Sequence, residues 1–215
     1  MVIASITLSL LVAVGAAPQD APIVKPGAPG EKSERLSPAE SAALAKTRYT
    51  AADARFMQHM IVHHAQAVEM VALIAERSTH DGVARMGARI SASQASEIEF
   101  MKSWLAARGE KLEMQHEDGA HPGMAMMKRD PDTPVMAGML SPNEMKRLAA
   151  ASGVGFDRLF LSGMIKHHQG ALDMVDALLE TPNAGEDPAL SEFLSSVVAH
   201  QSAEILRMQT MLSAL

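Results

Sequence analysis

Hydrophobic positions recur at helical spacing along most of the chain. From Asp53 to Ile74, alternating steps of three and four residues pass mainly through apolar side chains, as in a helix with one buried face. The same pattern predicts long helices at residues 51–77, 81–107, 156–180 and 188–214. No stretch of the sequence alternates between apolar and polar residues as a half-buried strand would. We therefore predict an all-α four-helix bundle made of two helical hairpins.

Two similar helix-start signals divide the chain into halves. SPAE at residues 37–40 and SPNE at 141–144 each supply a serine N-cap, a proline at the first helical position and a glutamate three residues after the cap. Each signal predicts a short lead-in helix before two long ones. We expect one bundle domain over residues 37–215, with a first repeat at 37–108, a linker at 109–140 and a second repeat at 141–215.

An offset of 104 residues relates the first long helix to the third, and an offset of 107 relates the second to the fourth. Identical residue types recur at these offsets, which indicates an internal duplication. The matched pairs with chemically useful side chains are Met60 and Met164, His63 and His167, His64 and His168, Met70 and Met174, Gln94 and Gln201, Glu97 and Glu204, and Met101 and Met208.

The adjacent histidines fall on the buried side of their helix. His63 lies on the apolar seam and His64 on the neighbouring apolar row, while Gln94, Glu97 and Met101 share the interior seam of the next helix. Each buried polar group without a partner costs on the order of 1 to 3 kcal/mol. The set must therefore bond internally or hold a ligand. A closed His/Glu/Gln network in a metal-free interaction module is one alternative, and a metal site is the other.

The spacing of methionine and histidine favours the metal site. Met60 precedes the histidine pair by three and four residues, so these side chains can converge within one helical turn, and Met164 repeats the arrangement. Thioether and imidazole donors without cysteine favour Cu(I), with Ag(I) as its soft analogue, whereas imidazoles alone would suit Zn or Cu(II). Met70 and Met174 lie farther along their helices, so core filling is an equal alternative for them.

The linker carries further soft donors. Its candidate metal ligands are Met114, His116, His121, Met124, Met126, Met127, Met136 and Met139. The alternative is that these methionines are adaptable filler, since the chain has 17 Met and only 3% aromatic residues.

A di-iron carboxylate oxidase is a different class of hypothesis. Such sites take a Glu from each of two helices and a Glu-x-x-His from each of the other two. Here Glu97 and Glu204 are the carboxylates in the middle of the seam. Asp53 and Asp157 precede the first histidine of each pair by about 15 Å along the helix axis and suit helix N-termini instead. The pattern disfavours the oxidase, and we predict a protein that is not an enzyme.

The N-terminal residues indicate export. An apolar run over residues 1–17 ends in small residues, which is typical of a secretory signal cleaved near Ala16 or Ala17, and a retained membrane anchor is the alternative. Residues 18–36 are rich in proline and glycine and predict a disordered tether. The net charge of −6, without a Lys/Arg cluster, argues against nucleic acid or anionic lipid as a partner.

The motif D-x-x-F-(M/L)-x-x-M-I-x-H-H-x-x-A-(V/L)-x-M, followed by Q-x-x-E-I-x-x-M-x-x-(W/M)-L, resembles the domain of unknown function 305 family of exported bacterial proteins. Both copies carry it, over residues 50–107 and 154–214, although Met211 stands where the first copy has Trp104. The resemblance implies a ferritin-like bundle and, for members with known roles, copper binding or tolerance in the periplasm or outside the cell. It assigns that role to His63, His64, Met60 and Met70 and to their counterparts His167, His168, Met164 and Met174.

These inferences combine into one hypothesis. The chain is expected to be a periplasmic or secreted protein that sequesters Cu(I) or passes it to another copper-handling protein. The imidazoles and the neighbouring thioethers, including those of Met101 and Met208, would hold the metal. Glu97, Glu204, Gln94 and Gln201 would orient the imidazoles.

Overall fold

A computed structural model describes residues 23–27, 30–44, 49–113 and 130–215, which form two compact units. The first unit ends at Lys46 and the second covers Thr47–Leu215. The predicted signal segment lies outside the described residues. No helix in the described part of the chain is both long enough and apolar enough to cross a membrane.

The first unit contains a small hairpin. Strands β1 (Ile23–Lys25) and β2 (Glu34–Leu36) pair antiparallel. The sequence predicted a disordered tether over residues 18–36. Instead, residues 23–25 pair with residues 34–36, and Nζ of Lys25 lies 3.7 Å from Oε2 of Glu34 across the ladder. Helix α1 (Pro38–Leu44) contacts β2 and belongs to this unit, whereas the sequence analysis grouped it with the bundle.

The second unit is a four-helix bundle, which confirms the predicted fold class. Its helices are α2 (Ala51–Ala72), α3 (Ile74–Arg77), α4 (Asp81–Ala107), α5 (Pro142–Ala150), α6 (Gly153–Leu179) and α7 (Pro188–Ala214). Helices α2 and α4 pack as one hairpin, α6 and α7 pack as the other, and α2 contacts α6 between them. The expected helix over 51–77 is interrupted at Leu73, whose backbone N–H closes the end of α2.

Side chains near the helix ends fix the two hairpins together. Asp53 completes a capping box with Thr50 at the start of α2, and its second oxygen accepts a hydrogen bond from the Gly185 N–H at 2.8 Å. Asp187 caps α7 and also accepts a hydrogen bond from the Trp104 indole of α4 at 3.1 Å. The two aspartates therefore tie each hairpin to the other at the same end of the bundle.

The bundle core consists of two apolar clusters. The first cluster includes Met57, Met60, Met101, Val175 and Val197, and the second includes Met70, Ile90, Met164 and Met208. Along each long helix, one cluster ends before the other begins. The residues that fill the interval are polar on all four helices, so a polar layer lies between two apolar ends of the core.

Candidate metal centre

The polar layer collects the residues that the sequence analysis selected. We define it as His63 and His64 of α2, Gln94 and Glu97 of α4, His167 and His168 of α6, and Gln201 and Glu204 of α7. All four histidines are completely buried, and the two glutamates retain 12% and 10% side-chain exposure. The interior orientation predicted from helical periodicity is confirmed, because each residue lies on the row that faces the other helices.

The inner histidines meet at the centre of the layer. The rings of His63 and His167 lie 3.8 Å apart between centroids and are tilted by 40°. Nε2 of His167 lies 2.8 Å from the backbone carbonyl oxygen of His63, and Nε2 of His63 lies 3.3 Å from the carbonyl oxygen of Ala137. A carbonyl oxygen only accepts hydrogen bonds, so Nε2 carries the proton in both rings. Nδ1 of each ring therefore keeps its lone pair.

The outer histidines are held by carboxylates. Nε2 of His64 lies 2.6 Å from Oε2 of Glu97, and Nε2 of His168 lies 2.7 Å from Oε2 of Glu204. A carboxylate is an acceptor, so these rings also donate from Nε2. Glu97 and Glu204 therefore orient the outer imidazoles, as their positions in the sequence predict.

All four Nδ1 atoms are buried without a hydrogen-bond partner. A histidine that donates one ring N–H to an oxygen and presents its other nitrogen unprotonated has the arrangement typical of metal-binding histidines. The donor set of the layer therefore fits a cation. The carboxamides of Gln94 and Gln201 are buried in the same layer, but neither forms a hydrogen bond to an imidazole, contrary to the orienting role expected of them.

Burial keeps the inner imidazoles neutral. Removal from water and, to a lesser extent, the neighbouring His64 lower the pKa of His63 from its ordinary value of 6.5 to about 3. Burial, followed by the effect of His63, likewise places the pKa of His167 well below its usual range. Neutral imidazole is the form that coordinates metals, so the inner pair needs no deprotonation at neutral pH.

Thioethers line the layer from both sides. Met60 and Met101 belong to the first cluster, whereas Met164, Met70 and Met208 belong to the second, and all five are fully buried. Met174 is partly buried against the first cluster. Among the described residues, no three His, Asp or Glu side chains form a group that would hold a metal ion. A cation in the layer therefore needs other donors, and the thioethers are the donors beside it.

The end of the predicted linker covers the inner pair on one side. The backbone of Leu140 is clamped by Gln66, which accepts from the Leu140 N–H at 2.7 Å and donates to its carbonyl oxygen at 2.9 Å. Gly138 lies so close to Gly170 that a Cβ added to Gly170 would be 2.5 Å from the Cα of Gly138. Residues 137–140, which we call the strap, hold the Ala137 carbonyl against His63.

Sequence reasoning missed the strap and its clamp. Gly170 lies three residues after His167, and Gln66 lies at the matching position after His63. This difference between otherwise similar copies was the one feature of the sequence that could have indicated the strap. Of the linker candidates, Met139 lies within the strap and is 4% exposed, and Met136 precedes the strap and is partly buried. The other linker candidates, Met114, His116, His121, Met124, Met126 and Met127, lie outside the described residues.

Solved structures with the same fold include proteins of Streptomyces coelicolor and Deinococcus radiodurans. The Streptomyces protein, described as secreted, has a TM-score of 0.62 and 29% identity, over 76% of this chain and 93% of its own. The Deinococcus fragment has a TM-score of 0.62 and 29% identity, over 78% and 99%. Both carry the DUF305 domain.

A third relative, CopM, has been solved with copper bound. Its Cu(II)-bound form has a TM-score of 0.55 and 27% identity, over 75% of this chain and 96% of its own. Its Cu(I)-bound form has a TM-score of 0.52 and 25% identity, over 78% and 98%. No curated protein sequence matches the chain. The model of the domain of unknown function DUF305 matches residues 53–212, which include all four long helices but for the ends of the first and last, and the chain belongs to the DUF305 family.

Proposed function

We propose that the polar layer binds a soft cation, Cu(I), and that the protein sequesters or transfers copper without catalysing a reaction. One observation carries the proposal. Four buried imidazoles each fix one N–H on an oxygen and leave the opposite Nδ1 lone pair without a partner. Leaving four such acceptors unsatisfied costs several kcal/mol at about 1 kcal/mol or more each. A soft cation held by some of these nitrogens together with the flanking thioethers would recover part of that cost.

The donor types favour a soft ion over a hard one. Neutral imidazole and thioether suit Cu(I) and its analogue Ag(I), whereas hard ions require clusters of oxygen ligands. The two glutamates lie behind the outer histidines and bond to their N–H groups. They would supply compensating negative charge and increase the basicity of the imidazoles they contact. The copper-bound forms of CopM support this assignment, because that protein shares the fold.

In this proposal the Nδ1 atoms of His63, His64, His167 and His168 are the principal donors. Met60 and Met164 are proposed to supplement them from opposite sides of the layer. Met70, Met101 and Met208 are further thioether candidates because they are buried in the same two clusters. Met136 and Met139 are proposed to bring metal from the linker, and the receiving partner would be another copper-handling protein outside the cytoplasm.

A metal-free interaction module remains the second candidate function. The His64–Glu97 and His168–Glu204 hydrogen bonds favour it, because they already satisfy one nitrogen of each outer ring. It does not account for the four Nδ1 atoms of the inner and outer rings, all of which are buried without a hydrogen-bond partner.

The test is competition for Cu(I) between the full chain and a chromogenic chelator under anaerobic conditions. We expect the double variant His63→Ala/His64→Ala to lose at least 100-fold in affinity, since it removes both imidazoles of one half. The matched control is His80→Ser, because His80 lies outside the layer, caps α4 through its Nδ1, and serine preserves a capping oxygen. Unchanged affinity in the double variant, with its helicity intact by circular dichroism, would remove these histidines from the copper site.

A further inference from the structure

A groove between α4 and α7 leads from solvent to the polar layer. The strap covers the layer on the side of α2 and α6, whereas α4 and α7 stay apart along their exposed faces. Glu97 borders one end of the groove and Glu204 the other. These are the carboxylates bonded to His64 and His168, so the groove reaches the outer histidines through a single side chain at each end.

The two ends of the groove differ in charge. The end at Glu97 also contains Glu192, together with the stacked rings of Phe100 and Phe193. The end at Glu204 is bordered by Arg89 and Arg207. An approaching cation is therefore attracted to the Glu97 end and repelled at the Glu204 end. The matched pairs of the internal duplication do not reveal this difference in charge, because Glu192, Arg89 and Arg207 are not among them.

His200 lies at the boundary between the two ends, because it lines the Glu204 end with the arginines and contacts Glu97 from the opposite helix. Its side chain is 63% exposed, and its Nδ1 lies 3.8 Å from Oε1 of Glu97 and 3.4 Å from Oγ of Ser196. Glu97 uses its other oxygen, Oε2, to bind His64. One carboxylate thus links an exposed imidazole to a buried one.

We propose that His200 and Glu97 form a surface site for a divalent cation of borderline hardness, Cu(II) or Zn(II), separate from the buried layer. Imidazole and carboxylate are ligands that both ions accept. Two ligands at about 2.0 to 2.1 Å from one metal lie roughly 3 to 4 Å from each other, depending on the coordination angle. The 3.8 Å between Nδ1 and Oε1 falls in that range, so the pair can chelate with only side-chain rotation. Water would complete the coordination sphere.

Arg89 and Arg207 line the same end of the groove as His200, so their repulsion of a cation opposes the attraction of Glu97. Arg207 is seven residues from His200 on α7, about 10 Å along the axis. The Debye length at physiological ionic strength is about 8 Å, so salt weakens the repulsion from a charge that is set back along the helix by this much. At the corresponding position opposite Glu204, α4 carries Ser93, whose hydroxyl donates to the Ile90 carbonyl oxygen at 3.1 Å. The site is therefore expected on one side of the bundle.

The experiment is NMR of the full chain with imidazole resonances assigned, titrated with substoichiometric Cu(II). We expect paramagnetic broadening of the His200 ring before that of His80, which is also exposed. His200→Ser should weaken the tightest surface Cu(II) affinity, measured by calorimetry, at least 10-fold. His80→Ser is the matched control and should leave it unchanged. The exchange Ser93→His/His200→Ser moves the histidine to the position opposite Glu204 and so tests whether Glu97 is required. We expect it not to restore the Cu(II) affinity.

Equal broadening of His80 and His200, or an unchanged affinity in His200→Ser, would overturn the surface site. Restored affinity in the exchange variant would overturn the role assigned to the charge difference. These outcomes are distinguishable from failure of the buried copper site, because the latter is measured with Cu(I) and with variants of His63 and His64. Broadening of His200 by Cu(II) would stand even if the layer bound no Cu(I).

Discussion

The two halves of the polar layer agree in their outer pairs and differ in their inner ones. His64–Glu97 and His168–Glu204 have nearly the same length, 2.6 and 2.7 Å. The inner N–H of His167 is bound within the bundle, by the backbone carbonyl of His63 at 2.8 Å. The inner N–H of His63 reaches instead to Ala137 of the strap at 3.3 Å. The outer contacts therefore follow the sequence repeat, whereas the inner contacts do not.

The difference has a simple cause in the course of the chain. The segment that joins the halves crosses the layer beside one histidine, so only His63 receives an oxygen from it. Gly170 allows the close approach of the strap on α6, and Gln66 clamps it on α2. Similar sequence copies thus acquire unequal surroundings, and each of the following predictions tests how far that inequality extends.

The largest expected effect is the response of stability to pH. The pKa of His63 is lowered to about 3 in the folded state and that of His167 is also far below 6.5, so the unfolded chain gains protons first as pH falls. Stability is then full above pH 6.5 and decreases toward pH 3. From pH 6 to pH 4 the loss for His63 is about 2 to 3 kcal/mol, and His167 adds a loss of the same sign.

The measurement is urea unfolding of the metal-free protein at several pH values. The slope of the unfolding free energy against pH should decrease in His63→Gln and in His167→Gln, each time by the contribution of about one proton. This decrease is expected whatever the effect of each substitution on stability at a single pH. His80→Ser should leave the slope unchanged. If neither glutamine variant altered the slope, the inner rings would accept protons in the folded state as readily as in the unfolded chain. That result would contradict the lowered pKa of both rings.

The next largest effect concerns the close approach of the strap. In Gly170→Ala, the new Cβ would lie 2.4 Å from the Ala137 carbonyl oxygen, which requires the strap to move. We expect a loss of roughly 1 to 3 kcal/mol in the free energy of unfolding. Gly155→Ala, on the same helix with open space around its Cβ, is the control and should gain up to about 1 kcal/mol. If both variants were equally stable, the strap would not be closely packed.

The third prediction tests whether the two outer pairs, His64–Glu97 and His168–Glu204, contribute equally to Cu(I) binding. Glu97→Gln and Glu204→Gln each keep an oxygen that accepts from the imidazole but remove the charge behind it. We expect each to weaken Cu(I) affinity by roughly 10-fold to 100-fold, and by similar factors. The measurement is the same chelator competition that tests the proposed function. Factors that differ by more than about 10-fold would show that the asymmetry of the inner pair extends to the outer ones.

The smallest effect is expected at the layer's glutamines. Gln94→Leu and Gln201→Leu remove carboxamides that lack partners, so each should raise the unfolding free energy of the metal-free protein by up to about 1 kcal/mol. Gln66→Leu, which breaks both hydrogen bonds to Leu140, should lower it instead. Thermal melts of the three variants compare the signs directly. A loss of stability in Gln94→Leu or Gln201→Leu would mean that water or another group satisfies the amide.

Much of the fold was predictable because it depends on local rules. Helical periodicity placed His63 and Glu97 in the interior, and the capping sequence at Ser141 marked the start of α5 correctly. The hairpin at β1 and β2 was not predicted, since its strands are three residues long and carry no alternating pattern. The metal-binding roles of the histidines stay predictions until copper is measured.

By itself, the sequence determined which residues occupy the polar layer and that both halves contribute equally to it. It could do so because burial on a helix follows a fixed period of 3.6 residues. The tertiary structure alone decided that the inner ring centroids lie 3.8 Å apart, that the strap supplies an oxygen to His63, and that His200 reaches Glu97 from another helix. These contacts join residues far apart in the chain. Their geometry depends on how the helices and the strap pack together, which no local periodicity encodes.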